Sequence, residues 1–207
     1  MSTLKVNNLK NVDGTRTLAS DSGTAWSWGS GVPKGSVIEE FMSPCDGSTI
    51  TVQSGTYTVQ NVTAAQNGTD SHVDINGSTI TYTPPTGTQT VIYKFLFQNA
   101  RDDTVSAIGH YAFYIDGENV SDADMTVSQQ TTDYYEGRTT FEWPINIGGS
   151  TTNTTGRQSS WTTGKTLKMT FRRYNSSHSI KLHQLRLWNG TSDSSIIRPV
   201  IGIKALA

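Results

Sequence analysis

Residues 91–117 read V-I-Y-K-F-L-F-Q-N-A-R-D-D-T-V-S-A-I-G-H-Y-A-F-Y-I-D-G and hold the densest apolar and aromatic run of the chain. Two segments in it alternate with a period of two, as half-buried strands require. Tyr93, Phe95 and Phe97 share one face of the first, and Tyr111, Phe113 and Ile115 share one face of the second. Asn99–Ser106 separates the segments and Asp116-Gly117 ends the second, so the pair is expected to form the central hairpin of an antiparallel sheet with those six side chains inward. The opposite face carries Ile92, Leu96, Ile108 and Tyr114. It is too apolar for open solvent and is expected to be covered by a neighbouring subunit.

Working outward, further short alternating runs flank this stretch. Val37–Met42, Ser48–Val52, Thr56–Val62 and Ser78–Thr83 precede it, with turns at Ser43-Pro44-Cys45-Asp46-Gly47 and Asn76-Gly77, the latter a type I′ signal. After it, Thr139–Ile147 places Phe141, Trp143 and Ile145 on one face, and Pro144 confines that strand to an edge or a bulge. Lys165–Tyr174 alternates with Leu167, Met169 and Phe171 inward; Ile180–Trp188 and Ser195–Ala205 close the chain. Gly148–Gly164 reads as a long flexible loop. The expected class is all-β, an antiparallel β-sandwich of jelly-roll type with an extended N-terminal arm.

Composition agrees. Of 207 residues only 34% are hydrophobic, about a quarter are Ser or Thr, and 19 are Gly; Thr suits a pleated, half-exposed strand. Net charge is -1 and no Lys/Arg run tracks a phosphate backbone, so nucleic acid is not an expected partner. Neither a signal peptide nor a membrane-length apolar run is visible, so no membrane insertion is expected.

Catalytic patterns find little support. Cys45, the single cysteine, lies in a turn beside Asp46, which opposes thiolate formation. Lys34-Gly35-Ser36 inverts the order a phosphate loop needs. Glu39 and Glu40 are adjacent, hence on opposite strand faces, and do not make an acid/base pair. Asp122 and Asp124 lack the ligand ladder of a calcium loop. His72, His110, His178 and His183 show no zinc spacing. No catalytic residue, metal or cofactor is therefore assigned. Tyr134, Tyr135, Trp161, Tyr174 and Trp188 stand at loops or strand ends, where rings serve as glycan platforms or interface anchors, or else cap the core.

Residues 1–34 are poor in bulky aliphatics and read as an attachment arm whose anchors are Leu4, Val6, Leu9, Trp26 and Trp28. Residues 35–207 read as the β-sandwich, with 35–83 left open as a separate small β subdomain.

Several stretches resemble virion structural proteins of marine and cyanobacterial tailed phages, of the tail-fibre-like type. They are M-S-T-L-K-V-N-N-L-K-N-V-D-G-T at the start, P-K-G-S-V-I-E-E-F-M-S-P-C-D-G-S, I-T-Y-T-P-P-T-G-T-Q-T-V-I-Y-K-F, F-E-W-P-I-N-I-G-G, and R-P-V-I-G-I-K-A-L at the end. The resemblance implies a non-enzymatic, homo-oligomeric virion part, trimeric, made in the host cytoplasm. It would be attached to other virion proteins through its N-terminal arm and would expose a sandwich able to contact host polysaccharide. A capsid decoration or head fibre, and a stand-alone carbohydrate-binding module, are the alternatives.

Overall fold

A computed structural model describes residues 8–10, 17–21, 26–28, 33–101, 106–129, 135–185 and 195–207. Among the described residues the chain is β throughout, apart from one 3-10 turn at Ser121–Ala123. The first half carries β1 (Asn8–Lys10), β2 (Thr17–Asp21), β3 (Trp26–Trp28), β4 (Val37–Pro44), β5 (Thr49–Val52), β6 (Gly55–Thr58), β7 (Gln66–Asn67), β8 (Val73–Asp74) and β9 (Ile80–Tyr82). There follow β10 (Thr90–Arg101), β11 (Ala107–Ile115), β12 (Glu118–Asn119), β13 (Met125–Gln129) and β14 (Tyr135–Asn146). The last are β15 (Lys165–Arg173), β16 (Lys181–Leu182), β17 (Gln184–Leu185), β18 (Ser195–Ile196) and β19 (Val200–Leu206).

Two antiparallel sheets face each other. The first runs β4-β19-β10-β14, with β16 and β7 continuing beside β10 past the end of β19. In the second, β11 and β15 are central; β12 and β13 border β11, and β8 and β9 border β15. With each bordering pair taken as one position, the chain changes layer at every step except from β11 to β12/β13, building two four-stranded layers in jelly-roll order. β4, β10, β14 and β19 fall in one layer, and β8/β9, β11, β12/β13 and β15 in the other. The expected fold class is the observed one.

The expected hairpin is not. β10 and β11 do not pair: β10 lies between β19 and β14, and β11 between β13 and β15. β10 ends at Arg101 in the first sheet and β11 begins at Ala107 in the second. Period-two alternation fixes which face is buried but not which strand lies alongside. The inward faces are as expected, meeting across the interlayer space instead of within one sheet. Tyr93 and Phe113 lie 4.9 Å apart between ring centroids, and Phe97 and Tyr111 5.5 Å. The Tyr111 hydroxyl donates to Asn99, whose amide donates to Thr139 of β14, so a hydrogen-bond chain also ties the layers.

Residues 35–83 belong to the same core. Phe41, Cys45, Val62, Ile75 and Tyr82 join one cluster with Phe95, Met169 and Ile203, and β4 and β9 pair with β19 and β15. The N-terminal region differs from an extended arm, because β1, β2 and β3 form a three-stranded antiparallel sheet of their own. At Asn76-Gly77 only Gly77 has positive φ (91°), and Ser78 N donates to Ile75 O at 3.1 Å, so the turn is not type I′. Asp116 (φ 52°) and Gly117 (φ 87°) supply the type I′ geometry instead, joining β11 to β12. Gly77 is also required by packing, since a Cβ there would lie 2.7 Å from Pro199 Cγ and 3.0 Å from Cys45 Sγ.

β14 pairs with β10 alone among the described strands, the edge position expected from Pro144. The loop after it is not loose. Gln158 N donates to Asn146 O, Arg157 Nη1 to Gly148 O, and Trp143 Nε1 to Thr155 O, at 3.0 to 3.2 Å.

Candidate interaction surfaces

Alternation on β10 sends Ile92, Lys94 and Leu96 to the outer face of the first sheet. Register places Ile92 beside Lys204 and Pro144, Lys94 beside Gly202 and Glu142, and Leu96 beside Val200 and Thr140. Lys94 Nζ lies 3.5 Å from Glu142 and 4.0 Å from Glu40, and Lys204 Nζ lies 3.3 Å from Glu40. Four alternating charges therefore cross the face. Each pair is half-exposed and contributes at most about 1 kcal/mol, so their role is to keep an otherwise apolar face solvated and directional. Met42 stretches over Gly202, where a Cβ would sit 2.6 Å from its Cγ, and it is 47% exposed. Val37 is 43% exposed. Leu96 is half-buried and helps line a small pocket with Gln98, Arg138, Ile197, Arg198 and Val200.

Ile108 and Tyr114 lie on the outer face of the second sheet. With β10 and β11 in different layers, Ile92/Leu96 and Ile108/Tyr114 point in opposite directions. The four residues do not form one patch, and no single neighbouring surface covers them all. The second outer face also carries charge: Lys168 pairs with Asp74 at 2.8 Å.

The aromatic candidates also separate. Tyr174 follows β15, is 58% exposed, and meets His178 edge-on at 5.1 Å. Asn175 Oδ1 holds the following turn, accepting from Ser177 N at 2.9 Å and lying 2.7 Å from His178 Nδ1. Arg173 Nε donates to Asp70 at 2.7 Å. Tyr174 thus presents a braced ring beside ionic and amide groups, the furnishing of a polar-ligand platform. Tyr135 opens β14 opposite Arg101, at this same end of the sandwich. Trp161 lies at the other end and is buried. Its Nε1 donates to Tyr82 O at 3.0 Å and its ring meets Tyr82 edge-on, so it caps the core and is not a stacking platform. It backs a hydroxyl-rich groove of about 400 Å³ lined by Thr83, Pro84, Pro85, Thr88, Ser160 and Thr162. Leu4, Val6, Tyr134 and Trp188 lie outside the described residues; Leu9, Trp26 and Trp28 are described as backbone only.

Two polar side chains lie in the interior, and neither was assigned a burial role from the sequence. Glu39 is buried and accepts from Ser54 N at 2.8 Å, Ser54 Oγ at 2.6 Å and Tyr82 Oη at 2.8 Å. His183 is fully buried with φ 66°, and neither ring nitrogen has a hydrogen-bond partner; the neighbouring Gln184 Oε1 has none either. Burial pushes the His183 pKa down to about 4, partly offset by the Asn76 backbone. Cys45 is sealed in the core with its thiol on Gly77 O at 3.2 Å, and burial pushes its pKa up to about 12, which leaves it a packing residue. Among the described residues, no three His, Cys, Asp or Glu side chains converge as a metal set.

No protein-family model and no curated protein matches the chain. Among solved structures it is similar to a chain in the structure of infectious bursal disease virus Gx strain, at 13% identity and a TM-score of 0.35. The likeness covers 93% of this chain and 42% of the viral one, so the chain spans less than half of that chain's length.

Proposed function

We propose that the chain is a non-enzymatic structural subunit of a phage virion, a tail fibre or fibre-like appendage. In this reading residues 1–34 attach it to other virion proteins, copies associate as a trimer, and the sandwich faces outward. The jelly-roll strand order carries the reading, since this architecture recurs in viral capsid and lectin domains. The phage-like stretches, which run from the first residues to the last strand, support it. The exposed Tyr174 with His178, Asp70 and Arg173 is the surface offered to host polysaccharide.

A capsid-decoration or head-fibre role is the second reading. It is favoured by the outer face of the first sheet, where exposed Met42 and Val37 around a Lys/Glu ladder suit a fixed protein neighbour.

Deleting residues 1–34 tests attachment. The truncated chain is expected to keep the sandwich, its β spectrum reduced only by the loss of β1–β3, and to be absent from purified particles; undiminished incorporation overturns the reading of residues 1–34. Locating the full chain in particle reconstructions decides between tail and capsid. Failure of Tyr174→Ala to alter binding on a host-polysaccharide array on which the intact protein binds removes the glycan role.

A further inference from the structure

On the outer face of the second sheet, register aligns Thr126 of β13, His110 of β11 and Arg172 of β15 in one row. His72, the residue before β8, stands on the far side of β15. The two imidazoles reach over β15 and meet: His72 Nε2 and His110 Nδ1 lie 3.0 Å apart, with ring planes 82° from parallel. The other nitrogen of His72, Nδ1, lies 2.8 Å from Thr170 Oγ1. Two ring nitrogens this close share either a proton or a cation.

We propose that His72 and His110 form a two-histidine chelate for a divalent transition metal that takes ligands at right angles, Ni(II) or Cu(II). Metal–imidazole bonds are about 2.0–2.1 Å long. Donors 3.0 Å apart therefore subtend about 90° at the metal, the cis angle of octahedral and tetragonal sites and narrower than a tetrahedral one. No third protein ligand converges among the described residues, so water completes the shell, which disfavours Zn(II) further.

The surroundings fit a ligand pair. With Thr170 Oγ1 accepting from His72 Nδ1–H, the lone pair of His72 is fixed on Nε2, the orienting bond that metal-bound histidines use. Binding needs no net proton loss from the neutral pair: His110 carries its proton on Nε2 in place of Nδ1, and both rings turn toward the metal. Arg172 is the opposing charge, but its Nη1 is turned to the carbonyls of Arg173 and Tyr174 at 3.3 and 3.4 Å. Burial, then His110 and Arg172, lower the His72 pKa and outweigh Asp124, which acts the other way. The bound metal would staple the segment before β8 to β11 across β15.

The probe is Ni(II)–iminodiacetate, whose three open positions accept two imidazoles in cis while lone histidines hold it weakly. Calorimetric titration of the full chain is expected to give one site, with broadening of two histidine ring signals in the proton spectrum. His72→Ala and His110→Ala are each expected to weaken binding about a hundredfold through loss of the chelate, and Thr170→Val about tenfold through loss of the orienting bond. His178→Ala is expected to change nothing. His72→Gln and His110→Gln replace any alanine variant whose circular dichroism departs from the parent. Binding of either histidine variant within about twofold of the parent, or a parent that shows no site, overturns the proposal.

Discussion

The two ends of the sandwich treat buried polar groups in opposite ways. At the end where β4 starts, Glu39 receives three hydrogen bonds from Ser54 and Tyr82, Tyr57 donates to Thr83 O, and Trp161 closes the core with its indole N–H on Tyr82 O. At the end where β10 finishes, His183 and Gln184 are buried with three ring or amide atoms unpartnered, and a pocket opens beside them at Leu96 and Arg198. A satisfied network locks its neighbours in place, whereas an orphaned one costs stability and responds to pH. The first end is thus the rigid one and the second the adjustable one.

Breaking the satisfied end should have the largest effect. Glu39→Ala leaves the buried Tyr82 hydroxyl and the Ser54 donors without their acceptor and is expected to cost about 3–5 kcal/mol, read by urea denaturation. A loss below about 1 kcal/mol would mean that water replaces the carboxylate and that this end is not locked.

Acid probes the other end. The imidazole of His183 is held at a pKa of about 4 by burial, against 6.5 for the unperturbed group, so on acidification the unfolded chain binds the proton first. The contribution is complete above pH 6.5 and is lost as pH falls from 6.5 to about 4, a loss of about 3 kcal/mol. His183→Leu should flatten this segment of the stability–pH curve. At pH 7 it should shift stability by no more than about 1 kcal/mol, because removal of an unpartnered polar group offsets the cost of leucine at φ 66°. An acid slope that survives the substitution would assign it to other groups.

Much of this was legible in the sequence, within limits set by period two. Alternation placed Tyr93, Phe95, Phe97, Tyr111, Phe113 and Ile115 in the core, and all six are buried. It placed Glu39 and Glu40 on opposite faces, and Glu40 indeed meets Lys204 outside while Glu39 meets Tyr82 inside. It did not say that β10 and β11 part company, because which strand lies alongside is decided by contacts among the whole set. For the same reason Ile92 and Ile108 were grouped on one surface although they lie on opposite ones. Trp161 read as a loop aromatic because its acceptor, Tyr82 O, is 79 residues away. The His72–His110 contact spans 38 residues and follows no ligand spacing. The left-handed backbone of His183 has no local signature, since positive φ is uncommon for any residue but glycine.

A small change in stability is also expected at the lip of the adjustable end, where one substitution separates folding from assembly. Leu96 is half-buried on the outer face of the first sheet, and Arg138 and Arg198 line the same pocket. A carboxylate introduced by Leu96→Asp would therefore face two guanidinium groups as well as solvent, and the folding cost should stay near 1 kcal/mol. If the first outer face joins copies of the chain, the same carboxylate would be buried against a neighbour and should shift sedimentation toward monomer. Ile108→Asp, on the opposite outer face, should leave the sedimentation profile unchanged. The reverse result would move the subunit interface to the second sheet, and equal loss in both variants would require a packing in which each sheet meets a different copy.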